Sequence, residues 1–246
     1  MHSGKQYSFK EVLVWTRKDI YFLLLVAAVP TCCYVLLDFK WLAIPWLPIA
    51  LLGTAVAFVV GFKNNASYDR MWEARRIWGA IVNASRGWGI TVKDYVSIKH
   101  TTPAISKEEL KKIHQQLFYR HFAWLTALRY QLREPRVWEA IYQQHNAEYK
   151  NKYFTVDEHV NKMDIALQAY LTDEEYKLVL SKTNRATQII ALQSAHLKEL
   201  LEKGLIEDFR HMELEKILLE LFNQQGASER IKNFPYPRQY ATLNKW

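Results

Sequence analysis

Few residues in this chain have the types and spacing that bond-making chemistry needs. The eight histidines are scattered. His114 and His121 stand seven apart, near enough to share a helix face, but two imidazoles fall short of a metal site, and core or surface histidines are the simpler reading. Cys32 and Cys33 are adjacent within an apolar run, a spacing that bridges poorly and lacks further ligands, so packing is their plain role. The paired acids Glu108/Glu109 and Glu174/Glu175 fall at helix starts, where the macrodipole favours negative charge, rather than as an acid/base couple. No Gly-rich phosphate loop, His-Glu-x-x-His or Cys-x-x-Cys pattern occurs in the sequence. The expectation is a protein that is not an enzyme and uses no cofactor or metal.

A different chemistry is suggested by a periodic stripe. Thr54, Phe58 and Phe62 recur every four residues, one position along from Gly53, Ala57 and Gly61. The small residues form a ridge that lets helices approach closely. The larger ones could face lipid. If several copies surround an axis, they would instead form stacked uncharged rings, a constriction that gates by dewetting. Periodicity leaves both readings open.

These residues lie in the second of two apolar runs. Ile20 to Leu37 is uncharged, and after Asp38, Phe39 and Lys40 comes Trp41 to Phe62, 22 further uncharged residues. As a helix the second run is about 33 Å, enough for a hydrocarbon core of about 30 Å. The first run carries Pro30, which would kink it. Together they predict a transmembrane helical hairpin over residues 20–62, after a cytosolic segment at 1–19. Lys5, Lys10, Arg17 and Lys18 precede the hairpin, and Lys63, Arg70, Arg75 and Arg76 follow it, so both its ends should face the cytoplasm. Trp15, Trp41 and Trp46 fall where interfacial aromatics belong. A cleaved signal peptide and a buried soluble pair of helices are the competing readings.

Residues 63–232 contain no further spanning run and read as a cytosolic bundle of amphipathic helices. Three capping-box patterns mark starts: Ser106 to Glu109, Thr155 to Glu158 and Thr172 to Glu175. Pro135 should open a short helix around Val137 to Gln144, with a loop at 145–154. Gly204 and Gly226 read as helix stops, and "NFPYPRQY" (Asn233 to Tyr240) as a break. Helical spacing continues through Trp78, Ile81, Ser85, Trp88, Val92 and Tyr95, so the second membrane helix should run on into the cytosol along a packing seam. Asp69 and Glu73 should form ion pairs, with Arg76 or a neighbouring subunit. The fold class is therefore all-α, a membrane hairpin joined to a cytosolic multi-helix bundle.

A net charge of +8 with a pI near 9.3 admits a nucleic-acid surface or an anionic membrane face. Basic residues interspersed with acids disfavour the first, so no nucleic acid is expected as a partner. The mean hydropathy of −0.22 looks soluble only because it averages two unlike halves.

The stretch "GFKNNASYDRMWEARRIWG" (Gly61 to Gly79) resembles the signature of bacterial bestrophin homologues, a Gly-Phe-basic-Asn-Asn start leading to Arg-x-Trp-Glu-Ala-Arg. Its matching positions are Gly61, Asn64, Asn65, Arg70, Trp72, Glu73 and Arg75. "ERIKNFPYPRQYATL" (Glu229 to Leu243) resembles the lead-in to the family's third membrane helix, which places residues 233–246, and "QIIALQ" (Gln188 to Gln193) is a weaker third match. The resemblance implies a homopentameric ion channel in the bacterial inner membrane, multi-pass, anion-selective in animals and cation-selective in at least one bacterial member. Its partners would be further copies of itself, the lipid bilayer and permeant monovalent ions. By the same resemblance the pore neck falls on Thr54, Phe58 and Phe62, with threonine where relatives carry aliphatic residues. The cytosolic aperture falls on Ile190, with Ile189 the runner-up. The family has four membrane helices, and this sequence reaches its end as the third should begin, ahead of the acidic calcium cluster of animal relatives. The functional expectation is chloride or other monovalent anion conduction. A sodium-type cation channel of the same fold is one alternative, and a non-conducting membrane-anchored scaffold another.

Overall fold

Helix is the only regular structure among the residues described, 8–43, 45–98, 105–139 and 156–234 of this computed structural model. The chain divides into two units: residues 1–67 with 135–156 and 244–246, and residues 68–134 with 157–243.

The first unit contains α1, Phe9–Leu36, a one-turn 3-10 helix at Lys40–Leu42, and the start of α2, Trp46–Tyr95. A capping box starts α1: the Glu11 amide donates to the Ser8 hydroxyl at 3.2 Å, and the Ser8 amide to the Glu11 carboxylate at 2.9 Å. Pro30 sits inside α1 without ending it. The two helices are separated where the charges interrupt the apolar runs. Asp38 takes φ 53°, a left-handed conformation that a short polar side chain tolerates, and pairs with Lys40 at 2.7 Å. Lys40 also lies 4.5 Å from the centre of the Tyr34 ring. The second apolar run becomes α-helical from Trp46. Pro48 is in the first turn, where its missing N–H leaves no bond unmade.

Both apolar stretches are bare. No residue of α1 is buried, and the first buried residue of α2 is Ile77. The membrane-candidate windows of both helices are 0% buried, the opposite of a soluble core pair. Their hydroxyls turn inward on the backbone: Thr31 donates to the Ala27 carbonyl at 2.7 Å and Thr54 to the Ala50 carbonyl at 2.9 Å. Such bonding suits hydrocarbon, where no water is present to take them. The chain is a membrane protein.

The second unit holds the rest of α2 with α3 (Lys107–Arg133), α4 (Asp157–Val160), α5 (Met163–Gln168), α6 (Asp173–Leu180), α7 (Arg185–Glu202) and α8 (Asp208–Asn233). Helix α3 packs on α7, α8 and α5, and α7 packs on α8. Trp88, Leu117, Trp124, Leu128, Leu197 and Leu214 lie at the centre of this core. The capping boxes at Ser106/Glu109 and Thr172/Glu175 are both formed. Thr155 lies outside the described residues.

Three expectations change. The seam of α2 begins at Ile77, 8% exposed, and not at Trp78, 46% exposed; from Ile81 it continues through Trp88 and Val92, with Tyr95 packed at its edge. Pro135 opens no helix over the described residues 135–139, which form a turn closed by the Glu139 amide on the Arg136 carbonyl at 3.0 Å. The remainder of that expected helix and the loop at 145–154 lie outside the described residues. Gly204 does stop α7, but α8 passes straight through Gly226 and ends at Asn233.

Candidate functional site

Helix α2 is one unbroken element of 50 residues, and it carries both the apolar stripe and the charged signature. After Pro48 it has no proline. At about 100° per residue, Thr54, Phe58 and Phe62 form a single slowly winding stripe. Phe58 is 64% and Phe62 69% exposed, so neither is used to pack this chain. The adjoining ridge is equally unused: a Cβ added at Gly53 or Gly61 would meet nothing within 4 Å. With its hydrogen on the Ala50 carbonyl, the Thr54 hydroxyl has no proton to donate elsewhere. The stripe is thus uncharged throughout and presents two aromatic rings outward.

The signature residues of α2 take two faces. On one, Tyr68 stacks on Trp72 with ring centres 6.5 Å apart and planes 8° apart, and the Arg75 guanidinium lies 6.0 Å from the Trp72 ring. On the other, Arg70 donates to the backbone carbonyl of Ile231, and Arg230 donates to the Glu73 carboxylate at 2.5 Å. Ile231 lies in the last turn of α8, whose final four carbonyls have no helical partner. Arg70 therefore caps α8, where a cation also suits the helix dipole. Within the chain, Glu73 pairs with Arg230. Nothing in local sequence links positions 157 residues apart, and the roles of Arg230 and the Ile231 carbonyl went unread for that reason. Asn64 and Asn65 are exposed on α2.

On α7, Ile189 is fully buried in the core, while Ile190 is half-buried and packs at the core's edge. Two polar networks fix α7 against its neighbours. In the first, Arg120 on α3 donates to Glu175 on α6 at 2.6 Å and to His196 Nδ1 on α7 at 2.6 Å. Because arginine only donates, that imidazole is neutral with its proton on Nε2. Burial, and then the Arg120 charge, pushes His196 down to about 4. Burial alone would raise Glu175, but the hydrogen bonds and charge of Arg120, with the Thr172 amide and hydroxyl, hold it below its ordinary value. In the second network, the Trp124 indole donates to Gln225 at 2.8 Å, and the Gln225 amide donates to Thr187 at 2.9 Å and Glu229 at 2.8 Å.

His114 and His121 do not form a joint site. His114 Nε2 is 3.0 Å from the Val96 carbonyl at the end of α2. His121 lies between Trp88 and Trp124, with ring centres 6.4 and 5.5 Å away, and burial pushes it down to about 4. Its Nε2 meets no hydrogen-bond partner among the described residues.

The sequence model of the bacterial and fungal bestrophin proteins matches residues 10–245. A voltage-dependent anion channel-forming protein of Ralstonia nicotianae is 26% identical over 198 residues, 80% of this chain and 53% of that protein. One of the same description from Escherichia coli K12 is 27% identical over 197 residues, 80% of this chain and 52% of its own length. The chain thus spans about half the length of these curated relatives. In structure, a bacterial bestrophin homologue from Klebsiella pneumoniae superposes with a TM-score of 0.67 at 21% identity, covering 96% of this chain and 71% of that one. That likeness is one of fold.

Proposed function

Because the chain belongs to the bacterial and fungal bestrophin family, we propose that it is one subunit of a homopentameric inner-membrane channel conducting chloride or other small monovalent anions. The carrying observation is the Thr54, Phe58, Phe62 stripe, uncharged and unpacked on a helix with no burial in its apolar stretch. Five such stripes around an axis make three stacked rings. An ion crossing them meets no opposite charge to hold it; the aromatic rings narrow the passage and repel water, so the width and wetting of the neck set the barrier. Among proteins similar to it, those of Ralstonia and Escherichia coli carry an anion channel-forming description, which supports the anion sense. Ile190 is our choice for the cytosolic aperture, since Ile189 is spent on the core. Hairpin ends on the cytoplasmic side follow from the flanking basic residues.

The test is reconstitution of the chain into planar bilayers. Reversal potentials in a chloride gradient should follow the anion, and Phe58→Ala with Phe62→Ala should raise conductance by widening two rings. A reversal potential that follows sodium would move the assignment to a cation channel. No flux, with neither alanine variant changing it, would leave a membrane-anchored scaffold.

A further inference from the structure

A cavity of about 270 Å³ opens beside the signature of α2, lined by Arg70, Glu73, Arg230, Ile231 and Phe234. Two permanent cations face one carboxylate around it, so its balance favours an anion. Arg70 uses one N–H on the Ile231 carbonyl, and Arg230 one on Glu73; a guanidinium has five. The Glu73–Arg230 pair is open to solvent, with side chains 39% and 67% exposed, and exposed pairs are weak. A phosphate, which arginine binds through paired charge-assisted bonds, can therefore displace the carboxylate. Phe234, 64% exposed, and Ile231 add an apolar wall. Arg70 follows the uncharged run by eight residues, about 12 Å of helix. That is within an arginine's reach of the headgroup layer, where basic pockets recognise anionic lipids. On the other face of α2 at the same level, the stacked Tyr68 and Trp72 are aromatics of the interfacial kind.

We propose that this cavity binds the phosphate of an anionic phospholipid headgroup, with Arg70 and Arg230 on its oxygens and Ile231 and Phe234 against the glycerol-ester region. The proposal rests on the reading that α1 and α2 span a bilayer. Native mass spectrometry of the chain in neutral detergent tests it, with phosphatidylglycerol, phosphatidylcholine and inorganic phosphate as probes. Phosphatidylglycerol should bind in preference to phosphatidylcholine, and inorganic phosphate should not displace it. Arg230→Gln should weaken phosphatidylglycerol about tenfold, the loss of one hydrogen bond to a charged group. Glu73→Gln should tighten it by removing the competing carboxylate, a gain that a purely structural ion pair would not give. Equal binding of the two lipids, displacement by inorganic phosphate, or wild-type affinity in both variants would overturn it. Flotation with phosphatidylcholine vesicles separates the two readings. A chain that floats yet shows no headgroup preference overturns the lipid site alone, and one that does not float overturns the membrane reading beneath it.

Discussion

His121 and His196 are both neutral in the folded chain for reasons of burial, one between two tryptophans and the other against Arg120. Both are pushed down from 6.5 to about 4. Above pH 6.5 each is neutral whether the chain is folded or not, so neither makes stability depend on pH there. Below pH 6.5 the unfolded chain takes up a proton that the folded chain refuses until about pH 4, and stability is lost across that window. His121 removes up to about 3 kcal/mol over it, and His196, more open to solvent screening, removes less. Glu175, held below its ordinary value, adds a further loss as pH falls below 4.5. Urea midpoints of the detergent-solubilised chain should therefore drop steeply from pH 6.5 to 4, and His121→Phe should remove one proton's share of that slope. An unchanged slope in that variant would refute the assignment. The sequence reads His121 as a core or surface histidine and does not single out His196. It gave no hint of Arg120 beside His196, because that contact spans 76 residues.

Two glycines that look alike in sequence do opposite things in their helices. Gly204 has φ 69°, and its amide donates to Leu201 at 2.8 Å while that of Leu205 reaches back to Leu200 at 2.9 Å, closing α7. Gly226 lies mid-helix in α8, where an added Cβ would meet nothing within 4 Å. What carries α8 past Gly226 is packing on either side, Leu221 and Gln225 before it, Ala227 and Ile231 after it. Gly204→Ala should thus destabilise by about 1 kcal/mol or more, and Gly226→Ala should stabilise by about 0.5–1 kcal/mol. Urea denaturation of the two variants checks this, and shifts of the same sign would contradict it. The same physics explains what was legible in these elements. Capping boxes are local, and Ser106 and Thr172 could be read directly; a glycine's effect depends on tertiary contacts on both sides. The seam of α2 slipped by one residue at its start, Ile77 for Trp78, because helical spacing alone allows either neighbour. Burial chose the one that fits inside.

The chain as a whole leaves its most apolar surfaces uncovered, and that decides how it must live. Helix α1 and the first thirty-one residues of α2 bury nothing, while the core of the second unit is closed around Trp88 and Trp124. The two long apolar helices and the continuation of α2 were legible because hydrophobic length and periodicity are properties of sequence alone. The clamp of Arg70 and Glu73 onto α8 was not, since it joins distant segments. An added Cβ at Gly53 or Gly61 meets nothing among the described residues, and a small-residue ridge of this kind suits the close approach of another helix, which in the proposed assembly is a helix of another copy. Gly53→Leu and Gly61→Leu should therefore reduce the mass of the detergent-solubilised assembly without lowering the unfolding midpoint of the helical core, since both positions are open around an added Cβ and lie away from that core. Mass photometry in detergent reads the first quantity and tryptophan fluorescence the second. An unchanged assembly in both variants would place the ridge against lipid, and the helix contacts around the neck would then have to come from another face of α2.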